Sequence, residues 1–406
     1  MENDDIPRPD YIQALEPWLG KPVIKALTGM RRVGKSSILR LLAKDRRSAG
    51  ENVLFFDMES LEHEALRDYR AFYDRVKSLL GGRKSLLLVD EIQEIEGWEK
   101  AISSLLAEDA ADIVITGSNA KLLSGELATL LAGRAVTTEV WPLSLSEFDA
   151  FSAAGENRHT QPTEDARLDR YLRFGGLPGL HRFGFDEASY LQYLDAVYSA
   201  IVLKDVVSRI AVRDIDLFGR VVRFAFDNVG NLLSIKNISD FLKSERRGAS
   251  VDTIANYLTA LGDALILHRV PRWDIRGKRH LQISEKYYAG DIGLRQALLG
   301  RRSQDIGALI ENLVYLELRR RRYRVSVGKL DEGEIDFVAE RDNGTVYIQV
   351  AYLLDSPGTI ERELAPFGRL KDRNPCRLIT MDRFQSDNFD GVRRLYLPNF
   401  LRGAEL

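Results

Sequence analysis

The sequence predicts an α/β chain of several domains, led by a parallel sheet. Three observations predict it. From residue 21 to residue 140, short β-rich runs alternate with stretches of helical periodicity. A glycine-bounded loop bearing a lysine follows the first of these runs. Helical spacing then dominates beyond residue 165, before an α/β pattern returns after residue 306. The leading strands are expected at residues 23–27, 53–56, 85–89, 112–116 and 136–140. Residues 152–164, rich in Ser, Gly, Asn, Thr and Pro, mark the first boundary. The expected domains are 1–151, 165–213, 214–290 and 300–406.

Composition narrows the functional classes. The 406 residues carry 58 basic and 60 acidic side chains, a formal charge of -2, so no global field draws in nucleic acid and any such partner must meet a local patch. The single cysteine, Cys376, excludes a disulfide framework and a cysteine-rich metal site. The acidic start, Met1-Glu2-Asn3-Asp4-Asp5, is not followed by the apolar stretch of an export signal. Apolar runs such as 85–89 and 261–270 fall far below the roughly 18 residues that span a bilayer. A cytoplasmic chain with no membrane partner is expected.

Holding a triphosphate requires backbone amides aimed at the phosphates, a helix N-terminus and a mobile cation. Gly29-Met30-Arg31-Arg32-Val33-Gly34-Lys35-Ser36 has the spacing G-x-x-x-x-G-K-S. Gly29 and Gly34 permit the tight turn, Lys35 reaches the β and γ phosphates of ATP, and the Ser36 hydroxyl ligates Mg²⁺. Ser37 continues the loop's nucleotide contacts. The loop follows an apolar strand interrupted by Lys25 and opens a helix with Ile38, Leu39, Leu41 and Leu42 on its buried side. Downstream, Ser85-Leu86-Leu87-Leu88-Val89-Asp90-Glu91 is an apolar strand ending in two acids, where open α/β sheets bind ligands. Asp90 is expected to hold Mg²⁺ and Glu91 to polarise the attacking water.

Together, Gly29 to Ser36 and Asp90-Glu91-Ile92-Gln93 resemble the archaeal and bacterial AAA-type ATPases, with loops reading G-x-R-R-V-G-K-S/T and second motifs ending D-E-x-Q. The resemblance extends through Ile115-Thr116-Gly117-Ser118-Asn119 and Leu131-Ala132-Gly133-Arg134. It implies a P-loop NTPase core in which Ser118 or Asn119 senses the γ-phosphate or the water, and Arg134 serves as an arginine finger in trans within a homo-oligomer. The alternatives are a turn pair capping a helix for Ser118 and Asn119, and a salt-bridged surface residue for Arg134. Arg31 and Arg32 reach phosphate or a neighbouring subunit, or form a solvated loop tip. Gly175-Gly176-Leu177-Pro178 resembles the lid motif of signal-transduction ATPases, where backbone near Pro178 approaches the nucleotide; the alternative is a helix terminator. Residues 165–213 would then be a helical lid.

Between residues 214 and 290, Ile238, Phe241 and Leu242 form one apolar helical stripe, and Val251, Ile254, Ala255, Leu258 and Leu261 a second. Ser250 is placed to cap the second helix, leaving Asp252, Thr253, Asn256 and Tyr257 outward. Arg269, Arg272, Arg276, Lys278, Arg279 and Lys286 follow, against Asp274 and Glu285, a local +4 from six basic and two acidic residues. The pattern reads as a winged helix-turn-helix with a basic wing for DNA, or one packed on protein.

The last segment, 300–406, resembles the restriction-endonuclease-like α/β fold found at the C-terminus of this ATPase family. Glu311, Asp336 and Gln349 stand where that resemblance puts Mg²⁺ ligands. The pattern's lysine is replaced by Ala351, and Gln349 stands where an acid is usual, unless another lysine such as Lys329 has migrated in. A degenerate, nuclease-like binding module is expected, with Arg319 to Arg322 and Arg324 as a basic edge or a complement to the helix dipole. The alternative for Glu334 and Asp336 is a solvated strand face. The leading expectation is an ATP-hydrolysing switch or motor acting with DNA. Its competitors are an ATP-gated signalling scaffold whose C-terminal modules bind proteins, and an ATP-dependent Mg²⁺ nuclease.

Overall fold

The computed structural model describes residues 6–406 apart from 83, 119–132, 156–161, 184–185, 208–209, 211, 247, 301, 303–304, 343 and 384–385. The chain divides into two units, one of residues 1–140 with 263–265, the other of residues 141–262 with 266–406.

The first unit is built on five parallel strands: β1 (Ile24–Thr28), β2 (Val53–Asp57), β3 (Leu86–Asp90), β4 (Asp112–Gly117) and β5 (Ala135–Glu139). Their order is β2-β3-β4-β1-β5, so β4 lies between the two strands that end in the phosphate loop and the acid pair. The five strands fall within a residue of their expected places. The run Leu86-Leu87-Leu88-Val89 is buried throughout, as a parallel strand covered on both faces must be. Helices Tyr69–Leu80 and Trp98–Ala107 supply Phe72, Val76, Ile102 and Leu105 to the same core as Leu87, Val89, Ile113 and Ile115. Lys25, the polar step in β1, is fully buried, and its ammonium is satisfied by the Lys21 carbonyl at 3.1 Å and by the Asp112 carboxylate. A charge buried there without those partners would cost several kcal/mol, on the order expected for one uncompensated ion.

The second unit begins with the helices Leu145–Gly155, Glu164–Phe174 and Glu187–Ile201, then Ile215–Asp227, Ile235–Ser244 and Val251–Asp263. Ser250 caps the last of these, accepting from Thr253 N at 3.1 Å as the sequence suggests. Asp252 and Asn256 are exposed, but Tyr257 is not: it is buried edge-on against Phe218, ring centroids 5.1 Å apart. Tyr257 is therefore corrected from an outward contact to a core residue, because Ile215–Asp227 covers that flank.

The second unit also holds one nine-stranded sheet. Its strands are β6 (Leu232–Leu233), β7 (Leu267–Asp274), β8 (Arg279–Ala289), β9 (Arg324–Lys329), β10 (Glu334–Arg341), β11 (Gly344–Ala351), β12 (Cys376–Thr380), β13 (Asn388–Phe389) and β14 (Val392–Tyr396). The order is β13-β14-β12-β11-β10-β9-β7-β8-β6. The β7–β8 hairpin expected as a separate wing is hydrogen-bonded in parallel to β9, with Arg272 opposite Val327 and Trp273 opposite Gly328. No break in the sheet falls between the segments 214–290 and 300–406. Helix Ile306–Arg320 seals the junction: Asn312 Nδ2 donates to Ala289 O at 2.9 Å, Asn312 Oδ1 accepts from Ala289 N at 2.7 Å, and Tyr315 stacks on Tyr288 at 4.6 Å.

The arginine run at the end of that helix turns inward. Arg321 donates to Glu317 at 2.7 Å, to Ala404 O at 2.7 Å and to Phe400 O, with its guanidinium 4.4 Å above the Phe400 ring. Arg320 pairs with Glu317 and donates to Pro142 O at 3.1 Å. These two arginines fasten neighbouring backbone, so they are corrected from a basic edge to an internal clamp; Arg324 remains exposed.

Candidate nucleotide-binding site

The phosphate loop lies between β1 and helix Lys35–Ser48, at the C-terminal edge of the first sheet. Its entry requires glycine. A Cβ at Gly29 would lie 2.3 Å from the Val140 carbonyl oxygen, a backbone atom that cannot swing away. Gly34 is left-handed (φ 98°) and caps the helix without a side-chain acceptor, and a helix N-terminus of this kind favours an anion. Arg32 is also left-handed (φ 70°). Met30 and Val33 are buried and hold the loop to the core. A residue the sequence did not single out completes this anchor: buried Arg8 donates to Val33 O at 2.7 Å, its guanidinium 4.5 Å from the Tyr11 ring.

Lys35 is 3% exposed and curls over its own loop, donating to Gly29 O at 3.0 Å and Met30 O at 3.2 Å, with Glu91 Oε1 3.9 Å away. The lysine and the acid pair are thus brought together. Arg31 donates to Glu59 at 3.0 Å, and Ser37 Oγ accepts from Arg40 at 3.0 Å.

Asp90 and Glu91 follow from β3. Asp90 is buried, and burial raises its carboxyl above the usual carboxylate range, opposed by hydrogen bonds from Thr116 and Ser36. Ser36 and Asp90, the two expected metal ligands, are therefore brought together. Thr116 on β4 serves both acids: its hydroxyl donates to Asp90 Oδ1 and accepts from Glu91 N at 2.9 Å. Glu91 is left-handed (φ 52°), an uncommon conformation for a residue with a Cβ, and its carboxylate accepts from Gln93 Nε2. Thr116 and Gln93 were visible only as letters of flanking motifs; β3 beside β4 is what makes Thr116 a partner. The donor set, one hydroxyl and one carboxylate beside a lysine and a helix N-terminus, suits a Mg²⁺-bound triphosphate.

Ser118, just beyond β4, is fully buried, whereas Asn119 lies outside the described residues. Arg134 is exposed ahead of β5 and accepts from Ile24 N through its carbonyl at 2.8 Å. Pro178 belongs to the second unit, where it starts a short 3-10 helix, Pro178–Arg182. The preceding glycines are tied down: a Cβ at Gly176 would meet Leu143 O at 2.6 Å, and Gly176 N donates to Asp291 Oδ2 at 2.7 Å.

The nuclease-like trio lies in the second unit. Glu311 accepts from Tyr288 Oη at 2.6 Å, Asp336 Oδ2 from Val350 N at 2.9 Å, and Gln349 Oε1 from Asp336 N at 2.7 Å. The lysine beside them is Lys286, not Lys329, and Glu334 and Asp336 face it instead of a solvated surface. Lys286 is accordingly removed from the basic wing. Arg269 pairs with Glu285, Arg276 with Asp331 at 2.6 Å and Arg279 with Asp274 at 3.7 Å, so three of the wing's other cations are locally compensated.

Residues 21–149 match the model of an AAA domain, and residues 165–305 that of a domain of unknown function. An uncharacterized protein of Haemophilus influenzae is 36% identical, over 99% of this chain and 100% of its own. One of Methanocaldococcus jannaschii is 31% identical, over 86% of this chain and 79% of its own. Among solved structures, DnaA of Aquifex aeolicus bound to AMPPCP aligns with a TM-score of 0.33 at 12% identity, covering 62% of this chain and 86% of that one. No helix among the described residues is long and apolar enough to cross a membrane.

Proposed function

We propose that this chain, which belongs to the same family as these Haemophilus influenzae and Methanocaldococcus jannaschii proteins and carries an AAA domain, hydrolyses ATP as a molecular switch. The observation that carries the reading is the convergence of Lys35, Asp90 and Glu91, the last two held by one hydroxyl. The loop amides and Lys35 bind the β and γ phosphates. Ser36 and Asp90 would hold Mg²⁺, which when bound would neutralise phosphate charge. Glu91 orients and polarises the attacking water, and Gln93 and Thr116 fix its direction. Ser118 or Asn119 senses the γ-phosphate, and Arg134 reaches a neighbouring subunit's site in a homo-oligomer. Turnover of ATP by the wild type, and its loss in Lys35→Ala with the fold intact, tests the core of this reading. Oligomer mass with and without ATP tests the role of Arg134.

For the remaining segments, residues 165–213 act as a lid. Residues 214–290 form a winged helix, supported by the order β6, two capped helices and the β7–β8 hairpin. Residues 300–406 form a nuclease-like binding module. DNA is the proposed partner, met by the exposed hairpin turn with Arg276, Lys278 and Arg279 and by Asp252 and Asn256. The compensated wing charges favour a second reading, an ATP-gated scaffold for proteins. DNA binding at low salt that weakens steeply as salt rises, with stimulation of ATP turnover, supports the first; no DNA complex at low salt rejects it in favour of the scaffold.

A further inference from the structure

The nuclease-like reading of the C-terminal module brings with it a divalent cation at Glu311, Asp336 and Gln349, and the residues present do not fit one. The position is filled by Lys286. Only 3% of its side chain is exposed, and its ammonium lies 2.8 Å from Glu334 Oε1, 3.0 Å from Glu311 Oε1 and 3.6 Å from Asp336 Oδ1. Other lone pairs that a metal would need are engaged by Tyr288 Oη, by Val350 N and, at Gln349, by Asp336 N. Among the described residues, no three His, Cys, Asp or Glu side chains are grouped to hold a metal ion.

We propose that Lys286 is the resident cation of this cluster, a tethered ammonium in the place of a divalent metal. A metal ion drawn to the same carboxylates would sit against the ammonium, and the like charges repel at short range in a buried site. The lysine has little freedom to withdraw, since it is buried and projects from β8 onto Glu311 of helix Ile306–Arg320. Burial alone would favour the neutral amine, but Glu311, Asp336 and Glu334 outweigh it and keep Lys286 charged. Asp336 is raised in turn, by burial first and by Glu311 next. The acids consequently serve to hold the hairpin to the helix and to β10, and the module binds without cutting.

The test uses the full chain without nucleotide, with Mn²⁺ as probe, titrated by calorimetry and by electron paramagnetic resonance. The wild type and Glu311→Gln are expected to take up Mn²⁺ identically. Lys286→Met is expected to gain one Mn²⁺, lost again in Lys286→Met/Glu311→Gln, and to melt at lower temperature unless Mn²⁺ is present. A wild-type Mn²⁺ site that Glu311→Gln removes would overturn the proposal. So would a folded Lys286→Met that gains no site. Should Lys286→Met not fold, the comparison of wild type with Glu311→Gln decides alone.

Discussion

The Thr116 hydroxyl donates to the Asp90 carboxylate while accepting the backbone N–H of Glu91. One side chain on β4 thereby aligns Asp90 and Glu91 at the end of β3, the two acids proposed to hold the metal and activate water. Thr116→Val removes both bonds while keeping the shape. It should lower kcat for ATP by about tenfold to a hundredfold with KM nearly unchanged, because one misaligned hydrogen-bonded group costs roughly 1–3 kcal/mol. Thr116→Ser should restore most of the rate; a Val variant with wild-type kcat would remove Thr116 from the site.

Separating binding from chemistry distinguishes the roles of Lys35 and Glu91. Lys35→Ala should weaken ATP binding and abolish turnover. Glu91→Gln should bind ATP with near wild-type affinity yet hydrolyse it about 10²–10⁴-fold more slowly, the range lost with a general base. Nucleotide titration alongside steady-state rates checks both. Equal losses of affinity in the two variants would merge the roles.

Asp291 makes a pH-dependent contribution to stability. It is 2% exposed, and burial pushes its carboxyl up to about 6, held from going higher by the amides of Gly176, Leu294 and Gly293. Between its ordinary value of 3.8 and about 6, the folded state retains a proton that the unfolded chain releases. Stability from this group is thus fully present below pH 3.8 and falls as pH rises through about 6. Relative to Asp291→Asn, the wild type should lose on the order of 3 kcal/mol across that window. Urea unfolding of both proteins across the pH range measures it.

The Arg321 clamp predicts a stability effect without a binding effect. Arg321→Ala removes the bonds to Glu317, Ala404 O and Phe400 O and the stacking on Phe400, and should cost about 2–4 kcal/mol of unfolding free energy. Denaturant titration reads that cost. If DNA binds, its affinity should be unchanged, whereas Arg276→Ala should reduce both the affinity and its salt slope.

The strand–helix alternation of the first unit and the phosphate loop were legible because their signals are local. Apolar runs, glycine spacing and a lysine at a helix start all lie within a few residues of one another. Asp90 and Glu91 were legible for the same reason. Thr116 was not, since its role exists only when β4 is hydrogen-bonded beside β3. Lys286 read as one more cation in a basic stretch, and only the pairing of β7 with β9 and the docking of helix Ile306–Arg320 turn it toward acids 25 to 50 positions away. Tyr257 was misplaced because helical spacing shows where a stripe is centred but not how wide the covering helix makes it.

The ladder joining β7 to β9 makes residues 214–406 one inheritable piece. Recombination near residue 300 would divide it, leaving an unpaired strand edge on one product and, on the other, acids parted from Lys286. Exposed edges of that kind recruit other chains, so such hybrids should aggregate. Gene exchange that replaces the C-terminal strands must therefore carry the hairpin along with them.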